Sequence, residues 1–181
     1  MSSQLSLVLG GVRSGKSAFA EGLAGKAKGP VLYLATGLAV DEEMQDRIHR
    51  HQQSRPSHWI TIEEPLDLAG RLNEASGSVL IDSLDVWLAN MMMEHKGLKA
   101  DEQEESVLCH LDGLLKVIDK ASAAFTLVSS EVGLSLVPME PLGRRFQDLL
   151  GTINQRVAAR ADRVFMVVAG IPTQIKGPDQ K

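Results

Sequence analysis

An eight-residue segment near the start of the chain carries the residue types needed to hold a polyphosphate. Residues 10–17 read GGVRSGKS, which fits G-x-x-x-x-G-K-[ST] with Gly10, Gly15, Lys16 and Ser17 at the fixed positions. Glycines allow a loop whose backbone N–H groups point at phosphate oxygens, and a helix beginning behind the loop adds partial positive charge. At these positions Lys16 is expected to bind the β- and γ-phosphates, and the Ser17 hydroxyl is expected to bind Mg²⁺. The segment therefore predicts ATP or GTP binding. The intervening residues expected to touch nucleotide are Gly11, Val12, Arg13 and Ser14.

An acidic residue at the end of a later apolar run is the expected second metal ligand. Residues 79–83 read VLIDS, a hydrophobic strand that ends in Asp82. In phosphate-loop enzymes such a carboxylate holds Mg²⁺. The same residue also suits the N-cap of a following helix. Because the phosphate loop favours the metal role, Ser17 and Asp82 are the predicted Mg²⁺ ligands.

A histidine-rich segment follows the second apolar run. Three of the five histidines, His49, His51 and His58, lie in this segment. Helical spacing places Ile48 and His51 near each other, so His51 lies at the buried edge of the predicted helix. Neutral imidazole is a basic nucleophile at physiological pH. Composition alone favours the alternative, a surface helix that happens to carry histidines.

Short apolar runs alternate with amphipathic stretches, and the runs are continuously apolar, as strands buried on both faces of a parallel sheet are. The order βαβα predicts a single-domain α/β fold, a mostly parallel sheet flanked by helices. Ligands then bind at the carboxyl ends of strands, so chemistry is expected after Leu9, Ala35, Asp82 and Ser130. The predicted strands are Leu5–Leu9, Val31–Ala35, Trp59–Ile62, Val79–Asp82, Phe125–Ser129 and Val164–Val168, with an edge strand after Gly170. The predicted helices cover 15–26, 42–53, 66–75, 83–93, 102–122 and 141–161.

Length and composition narrow the class of protein further. The 181 residues suit one domain over 1–181, with 1–3 and 176–181 expected as loose termini. A net charge of −4 argues against a nucleic-acid partner. The single cysteine, Cys109, excludes an intrachain disulfide and favours a reducing compartment. The start MSSQLSLVLGG lacks the features of a signal peptide and no apolar run reaches membrane-spanning length, so a cytoplasmic protein is expected.

Longer motifs carry a resemblance to one family. After the phosphate loop come VLYLAT at 31–36 and D-E-x-M-x-x-R-I-x-x-H-x-x-x-R-P-x-x-W at 41–59. VLIDSLDVWLAN, SSEVGLSLVP and RRFQDLLGTINQRVAARADRVFMVVAGIP follow at 79–90, 129–138 and 144–172. Over nearly the full chain these segments resemble the bifunctional adenosylcobinamide kinase / adenosylcobinamide-phosphate guanylyltransferase of cobalamin biosynthesis. The phosphate loop is shared with many proteins, whereas the histidine segment and the N-Q-x-x-A-x-x-A-D pattern are far more specific.

The resemblance implies a RecA-like, P-loop fold assembled as a homotrimer, and two linked reactions. The family phosphorylates adenosylcobinamide with ATP or GTP, then transfers GMP from GTP to that phosphate, giving adenosylcobinamide-GDP and pyrophosphate. The transfer passes through a GMP-histidine, and the family histidine lies four residues before an Arg-Pro pair, which selects His51 rather than His49. Besides the phosphate loop, the implied nucleotide contacts are Ala35, Thr36, Gly37, Gln52, Gln53, Ser54, Arg55, Glu63 and Asp82.

Two side-chain roles and two rival functions stay open. Arg55 either contacts phosphate or is a structural arginine before Pro56. Glu131 either acts as the general base of the kinase step or orients a loop. Without nucleotidyl transfer, the chain would be a P-loop kinase of a small molecule. Without catalysis of this kind, it would be a nucleotide-dependent switch that acts through a protein partner.

Overall fold

The protein is built around a seven-stranded sheet, in a computed structural model that describes residues 4–27, 29–38, 56–72 and 75–178. The strands are β1 (Gln4–Gly10), β2 (Val31–Ala35), β3 (Ile60–Glu63), β4 (Ser78–Asp82), β5 (Ala124–Ser130), β6 (Arg163–Val168) and β7 (Ile171–Lys176). The helices within these ranges are α1 (Lys16–Ala24), α2 (Leu84–Glu94), α3 (Ala100–Lys120) and α4 (Pro141–Arg160).

The strand order brings together the carboxyl ends of the strands after which chemistry is predicted. The sheet runs β3-β2-β4-β5-β1-β6-β7, and every neighbouring pair is parallel except β6 with β7. In the parallel part all carboxyl ends therefore lie at one edge of the sheet, called here the carboxyl edge. Gly10 pairs with Ser130, and Ala35 pairs with both Asp82 and Glu63. The predicted mostly parallel α/β architecture is confirmed.

Both faces of the five inner strands are covered by apolar contacts, which explains why those strands read as continuously apolar, whereas the edge strands β3 and β7 are largely exposed. Helix α1 covers one face, where Ala20 and Ala24 pack among Val8, Leu80 and Val128. The other face is covered by α2, α3 and α4, whose buried residues at helical spacing form the larger core. The contributing helical side chains include Leu84, Leu88, Val107, Leu111, Leu114, Ile118, Leu150, Ile153 and Val157.

One predicted helix, over 66–75, is wrong. Its described residues form turns instead, with the Leu68 N–H bonding to Leu66 O at 3.2 Å. The Glu64 carboxylate accepts the N–H groups of Leu66 and Asp67, and Asp67 Oδ1 accepts the Gly70 N–H. Only the bond from Gly70 N–H to Asp67 replaces a helical bond, the one to Leu66 O, because the N–H groups of Leu66 and Asp67 would have no acceptor within a helix that starts at residue 66. Glycine at position 70 also lowers the helix propensity, so the segment forms turns.

The remaining element predictions hold to within a few residues, apart from the helix predicted over 42–53, which lies outside the described residues. The stretch after Gly170 is the antiparallel edge strand β7, which extends through Lys176, one residue into the predicted loose terminus. No helix in the described ranges combines the length and the apolar character needed to cross a membrane.

Candidate active site

The phosphate loop leaves β1 at its carboxyl end and turns directly into α1. A Cβ placed on Gly10 would lie 2.4 Å from Ser14 Oγ and 2.7 Å from Val167 O, so only glycine fits there. Gly15 is the N-cap of α1 with φ at 92°, a left-handed conformation that favours glycine. The loop therefore needs glycine at these two motif positions for steric and conformational reasons, respectively.

The start of α1 provides positive charge behind the loop. Helix α1 begins at Lys16, and no acidic residue in its first turn offsets the helix dipole. Lys16 Nζ donates to Gly11 O at 3.4 Å, so the ammonium group lies over the loop. Val12 and Arg13 are exposed at the tip of the loop. Unpaired N–H groups of a first helical turn together with a lysine form an anion-binding arrangement.

The carboxylate of Asp82 lies beside the phosphate loop, as predicted. Ser17 Oγ donates to Asp82 Oδ1 at 3.3 Å, and the Tyr33 hydroxyl donates to Asp82 Oδ2 at 2.6 Å. The alternative in which Asp82 caps the following helix is wrong, because Ser83 is the N-cap of α2. A hydroxyl and a carboxylate oxygen in contact are the hard oxygen donors that Mg²⁺ prefers.

The end of β5 is bound to the phosphate loop through backbone. The Glu131 N–H donates to Gly10 O at 3.2 Å, and the Glu131 carboxylate turns back to accept the Gly133 N–H at 2.6 Å. This contact supports the role in which Glu131 orients a loop, and its role as the general base of the kinase step stays a prediction. Asn154 Nδ2 on α4 donates to Ser130 O at 3.0 Å and holds the same strand end from the other side.

The segment after β2 turns at Thr36, which is fully buried. The Thr36 N–H donates to Asp82 O, and its hydroxyl accepts the Ser83 N–H and donates to Ser83 O. Its carbonyl accepts from Asn90 Nδ2 at 2.8 Å. Thr36 thus fixes the loop beside Asp82, and its side chain offers no free polar group to a nucleotide. Gly37, which is partly exposed, and Ala35 remain the candidates for contact in this segment.

Two adjacent glutamates at the end of β3 have opposite surroundings. Glu63 is exposed at the carboxyl edge, where a ligand can reach it. Glu64 is buried: its backbone N–H donates to Ala35 O at 2.9 Å, and its carboxylate pairs with Arg71 Nε at 2.9 Å. Burial pushes the pKa of Glu64 upward, but hydrogen bonds from the backbone N–H groups after it and from Arg71 hold that pKa below its ordinary value.

His51, Gln52, Gln53, Ser54 and Arg55 lie outside the described residues, so their predicted roles stay predictions. Pro56, directly after them, leads through Trp59 into β3. Within the described ranges no cluster of three or more histidine, cysteine, aspartate or glutamate side chains forms a metal site, so the Ser17–Asp82 pair is the metal-binding candidate there.

Sequence reasoning missed two residues that shape the site. Tyr33 was read only as part of an apolar strand, although a tyrosine in a buried strand needs a hydrogen-bond partner for its hydroxyl. That partner is Asp82. Asn90 was read only as part of an amphipathic helix, and no local pattern relates it to the loop after β2, which lies far away along the chain.

A mostly parallel α/β sheet with a phosphate loop after one strand and a carboxylate after another defines a P-loop nucleotide-binding protein. The family model CobU, described as cobinamide kinase / cobinamide phosphate guanyltransferase, matches residues 6–175. The chain belongs to this family.

Three bacterial relatives are similar over nearly their whole length. A bifunctional adenosylcobalamin biosynthesis protein CobP of Pseudomonas aeruginosa is 41% identical over 174 residues, covering 94% of this chain and 96% of the relative. The CobU proteins of the same description from Escherichia coli and Salmonella typhimurium are 36% and 38% identical, covering 94% of this chain and 98% of each relative.

A solved structure supports the fold. The chain matches an ATPase from the type III secretion system of pathogenic bacteria with a TM-score of 0.56 and 14% identity. The match covers 90% of this chain and 50% of that one, so the chain spans half the length of the ATPase. At this identity the likeness shows a shared fold alone.

Proposed function

We propose that this chain phosphorylates adenosylcobinamide with ATP or GTP and then transfers GMP from GTP to that phosphate, giving adenosylcobinamide-GDP and pyrophosphate. Family membership and the two activities named in the family description support both reactions. The observation that carries the proposal is the contact, at the carboxyl edge, between Ser17 of the phosphate loop and the carboxylate of Asp82 at the end of β4. One triphosphate site then serves both steps.

The kinase step needs a held triphosphate and a positioned hydroxyl rather than a covalent intermediate. Backbone N–H groups of the phosphate loop other than that of Ser14, which donates to Gly11 O, would bind the β- and γ-phosphates together with the Lys16 ammonium. Since both are fixed before the reaction, they stabilise charge that develops on the phosphate oxygens without reorganising. The γ-phosphate would then pass to the acceptor hydroxyl, with a nucleoside diphosphate left in the loop.

Ser17 and Asp82 fit a Mg²⁺ ion, because a hydroxyl and a carboxylate in contact supply two hard oxygen donors. Bound Mg²⁺ would neutralise charge on the phosphate oxygens. Tyr33 donates to the other carboxylate oxygen and so fixes the rotation of the Asp82 side chain. This leaves Asp82 Oδ1 directed at Ser17 and the phosphate loop.

The transfer step uses His51 as the nucleophile. A neutral imidazole nitrogen would attack the α-phosphorus of GTP, the bond to the bridging oxygen would break, and pyrophosphate would leave into the phosphate loop. The adenosylcobinamide phosphate oxygen would then attack the same phosphorus and release the imidazole. By resemblance, Gln52, Gln53, Ser54, Arg55, Gly37 and Glu63 complete the nucleotide contacts.

The assembly and setting are also proposed. The resemblance supports a homotrimer that works in the cytoplasm on small molecules rather than nucleic acid. The net charge of −4 agrees with an absence of nucleic-acid binding.

Mass spectrometry of the protein after incubation with GTP and Mg²⁺ tests the proposal. We expect one added GMP on His51, released when adenosylcobinamide phosphate is supplied. Phosphorylation of adenosylcobinamide without any adduct would instead indicate a kinase that never transfers nucleotide. Nucleotide hydrolysis that responds to a protein partner, with no dependence on a corrinoid, would indicate a switch.

A further inference from the structure

A second cavity lies at the edge of the sheet where β1, β4, β5 and β6 begin, opposite the carboxyl edge and the phosphate loop. Its volume is about 210 Å³. Ser6 of β1, Ser78 of β4 and Arg163 of β6 line it from the sheet, and Leu23 lines it from the last turn of α1. Pockets for drug-sized ligands measure roughly 300–1,000 Å³, so this cavity suits an ion or a very small molecule.

The polar lining continues a face of the sheet that is otherwise apolar. Ser6 and Arg163 are partners in the register of β1 and β6, so their side chains lie on the same face. Alternate residues of a strand share a face, and the residues two positions further along the three strands are buried apolar residues packed with α1. These residues are Val8, Leu80 and Phe165. The sequence therefore changes from apolar to polar on one face at the point where α1 ends.

The polar groups that line the cavity lack hydrogen-bond partners. Ser6 and Ser78 are each 2% exposed, and neither hydroxyl bonds to a described residue. Arg163 Nε is buried and has no partner in the same part of the chain, although buried polar groups are nearly always paired. A guanidinium group has only donors, and a hydroxyl can also donate. The missing partner is therefore a hydrogen-bond acceptor.

The charges around the cavity show which acceptor fits. Its charged lining residues are Arg163 and Lys26, and no acidic side chain of the described ranges lines it. The acceptor is therefore expected to be an anion. Cations at the carboxyl end of a helix also stabilise the helix dipole, which would explain the two charges. It would not explain why two buried hydroxyls and a guanidinium N–H have no partner.

We propose that this cavity binds a free oxyanion of phosphate size, held by the Arg163 guanidinium and by the hydroxyls of Ser6 and Ser78. The planar guanidinium matches two oxygens of a phosphate, and the hydroxyls donate to the others. The site is separate from the phosphate loop, because it lies at the other edge of the sheet. The inference does not rest on the proposed function, since neither reaction uses these residues.

Isothermal titration calorimetry with inorganic phosphate tests the site on full-length proteins. Wild type is titrated beside Lys16→Ala, which weakens phosphate binding in the phosphate loop and is the parent of the other variants. Adding Arg163→Gln should weaken phosphate binding at least about tenfold, because a charge-assisted hydrogen bond is lost. Adding Ser6→Ala keeps the net charge and should weaken binding about fivefold. Arg156→Gln is the matched control, since it removes a positive charge from an exposed ion pair and should leave binding unchanged.

Each outcome decides the inference. Weaker binding in both Arg163→Gln and Ser6→Ala, with Arg156→Gln unchanged, supports the site. No phosphate binding in the Lys16→Ala parent, or equal binding with and without Arg163, would overturn it and leave the cations to the dipole of α1. Equal losses in Arg163→Gln and Arg156→Gln would overturn it in favour of a general charge effect. If Arg163→Gln does not fold, Ser6→Ala decides alone. Failure to form a GMP adduct would overturn the proposed function and leave this inference standing.

Discussion

The ends of β1 and β5 and the ends of β2 and β3 face the same edge of the sheet, yet different groups hold them. On the phosphate side, Gly10 pairs with Ser130, Glu131 N–H binds Gly10 O, and the Asn154 amide of α4 adds one bond to Ser130 O. On the other side, Glu64 N–H binds Ala35 O, and the Asn90 amide of α2 bridges two loops through Thr36 O and Pro65 O.

The phosphate loop is built by a contiguous sequence motif. The loops after β2 and β3 are held by a side chain that lies far from them along the sequence. Backbone hydrogen bonds in a ladder survive most substitutions, because every residue except proline carries the same donor and acceptor. A side-chain amide has no such substitute. The strand ends on the phosphate side are therefore expected to tolerate most substitutions, whereas the link between the loops after β2 and β3 depends on the identity of one side chain, Asn90.

His51→Ala has the largest expected effect, because it should abolish one of the two reactions and spare much of the other. GMP-adduct formation from labelled GTP should be abolished, because no other group is expected to attack the α-phosphorus. Phosphorylation of adenosylcobinamide should retain much of its rate, since that step needs no covalent intermediate. His49→Ala is the matched control and should still form the adduct. Label that stays on the His51→Ala protein would assign the nucleophile elsewhere.

Lys16→Ala should impair both reactions together. Removing one fixed charge that stabilises a transferring phosphate costs about 10²–10³-fold in turnover. Steady-state kinetics of each half-reaction provide the measurement. Lys26→Ala removes an exposed lysine two residues beyond the other end of α1 and should leave both rates unchanged. Wild-type kinetics in Lys16→Ala would place the triphosphate outside the loop.

The phosphate side could be predicted from the sequence almost entirely. Its motif is contiguous, and the sequence VLIDS indicates both a buried strand and the acidic residue at the end of that strand. Gly10 and Gly15 then prove to be required by a close contact and by a positive φ, respectively. Local sequence carries this information because the loop, its strand and its helix are neighbours along the chain.

The other side resisted prediction because its contacts join distant parts of the chain. Thr36 was predicted as a nucleotide contact, but its polar groups bind Asp82, Ser83 and Asn90. The helix predicted over 66–75 fails for a local reason instead: the Asp67 carboxylate accepts the Gly70 N–H, which a helix would give to Leu66 O. The periodic pattern of leucines does not reveal this contact.

Tyr33→Phe tests how the predicted metal ligand is held. It removes the hydroxyl that donates to Asp82 Oδ2 at 2.6 Å, and the loss of one such bond is worth about 1 kcal/mol, or about fivefold. The Mg²⁺ concentration for half-maximal activity should rise by this factor in both reactions. Thr126→Val is the control, since it removes a buried hydroxyl of β5 at a position that pairs with Leu80 rather than with Asp82. An unchanged Mg²⁺ requirement in Tyr33→Phe would show that the tyrosine does not tune this carboxylate.

Glu64→Gln should have the smallest effect, on stability rather than on chemistry. Hydrogen bonds from backbone and Arg71 hold the Glu64 pKa below its ordinary value of 4.5, so the charged form stabilises the fold. That contribution is present above pH 4.5 and is lost as the pH falls through the lower folded-state pKa. The variant should lose about 1 kcal/mol in urea unfolding at neutral pH, and the gap should close in acid. Asp112→Asn, which breaks an exposed ion pair with Arg156, should cost less than about 0.5 kcal/mol. A gap for Glu64→Gln that persists unchanged in acid would mean that the carboxylate charge contributes nothing to holding the end of β3.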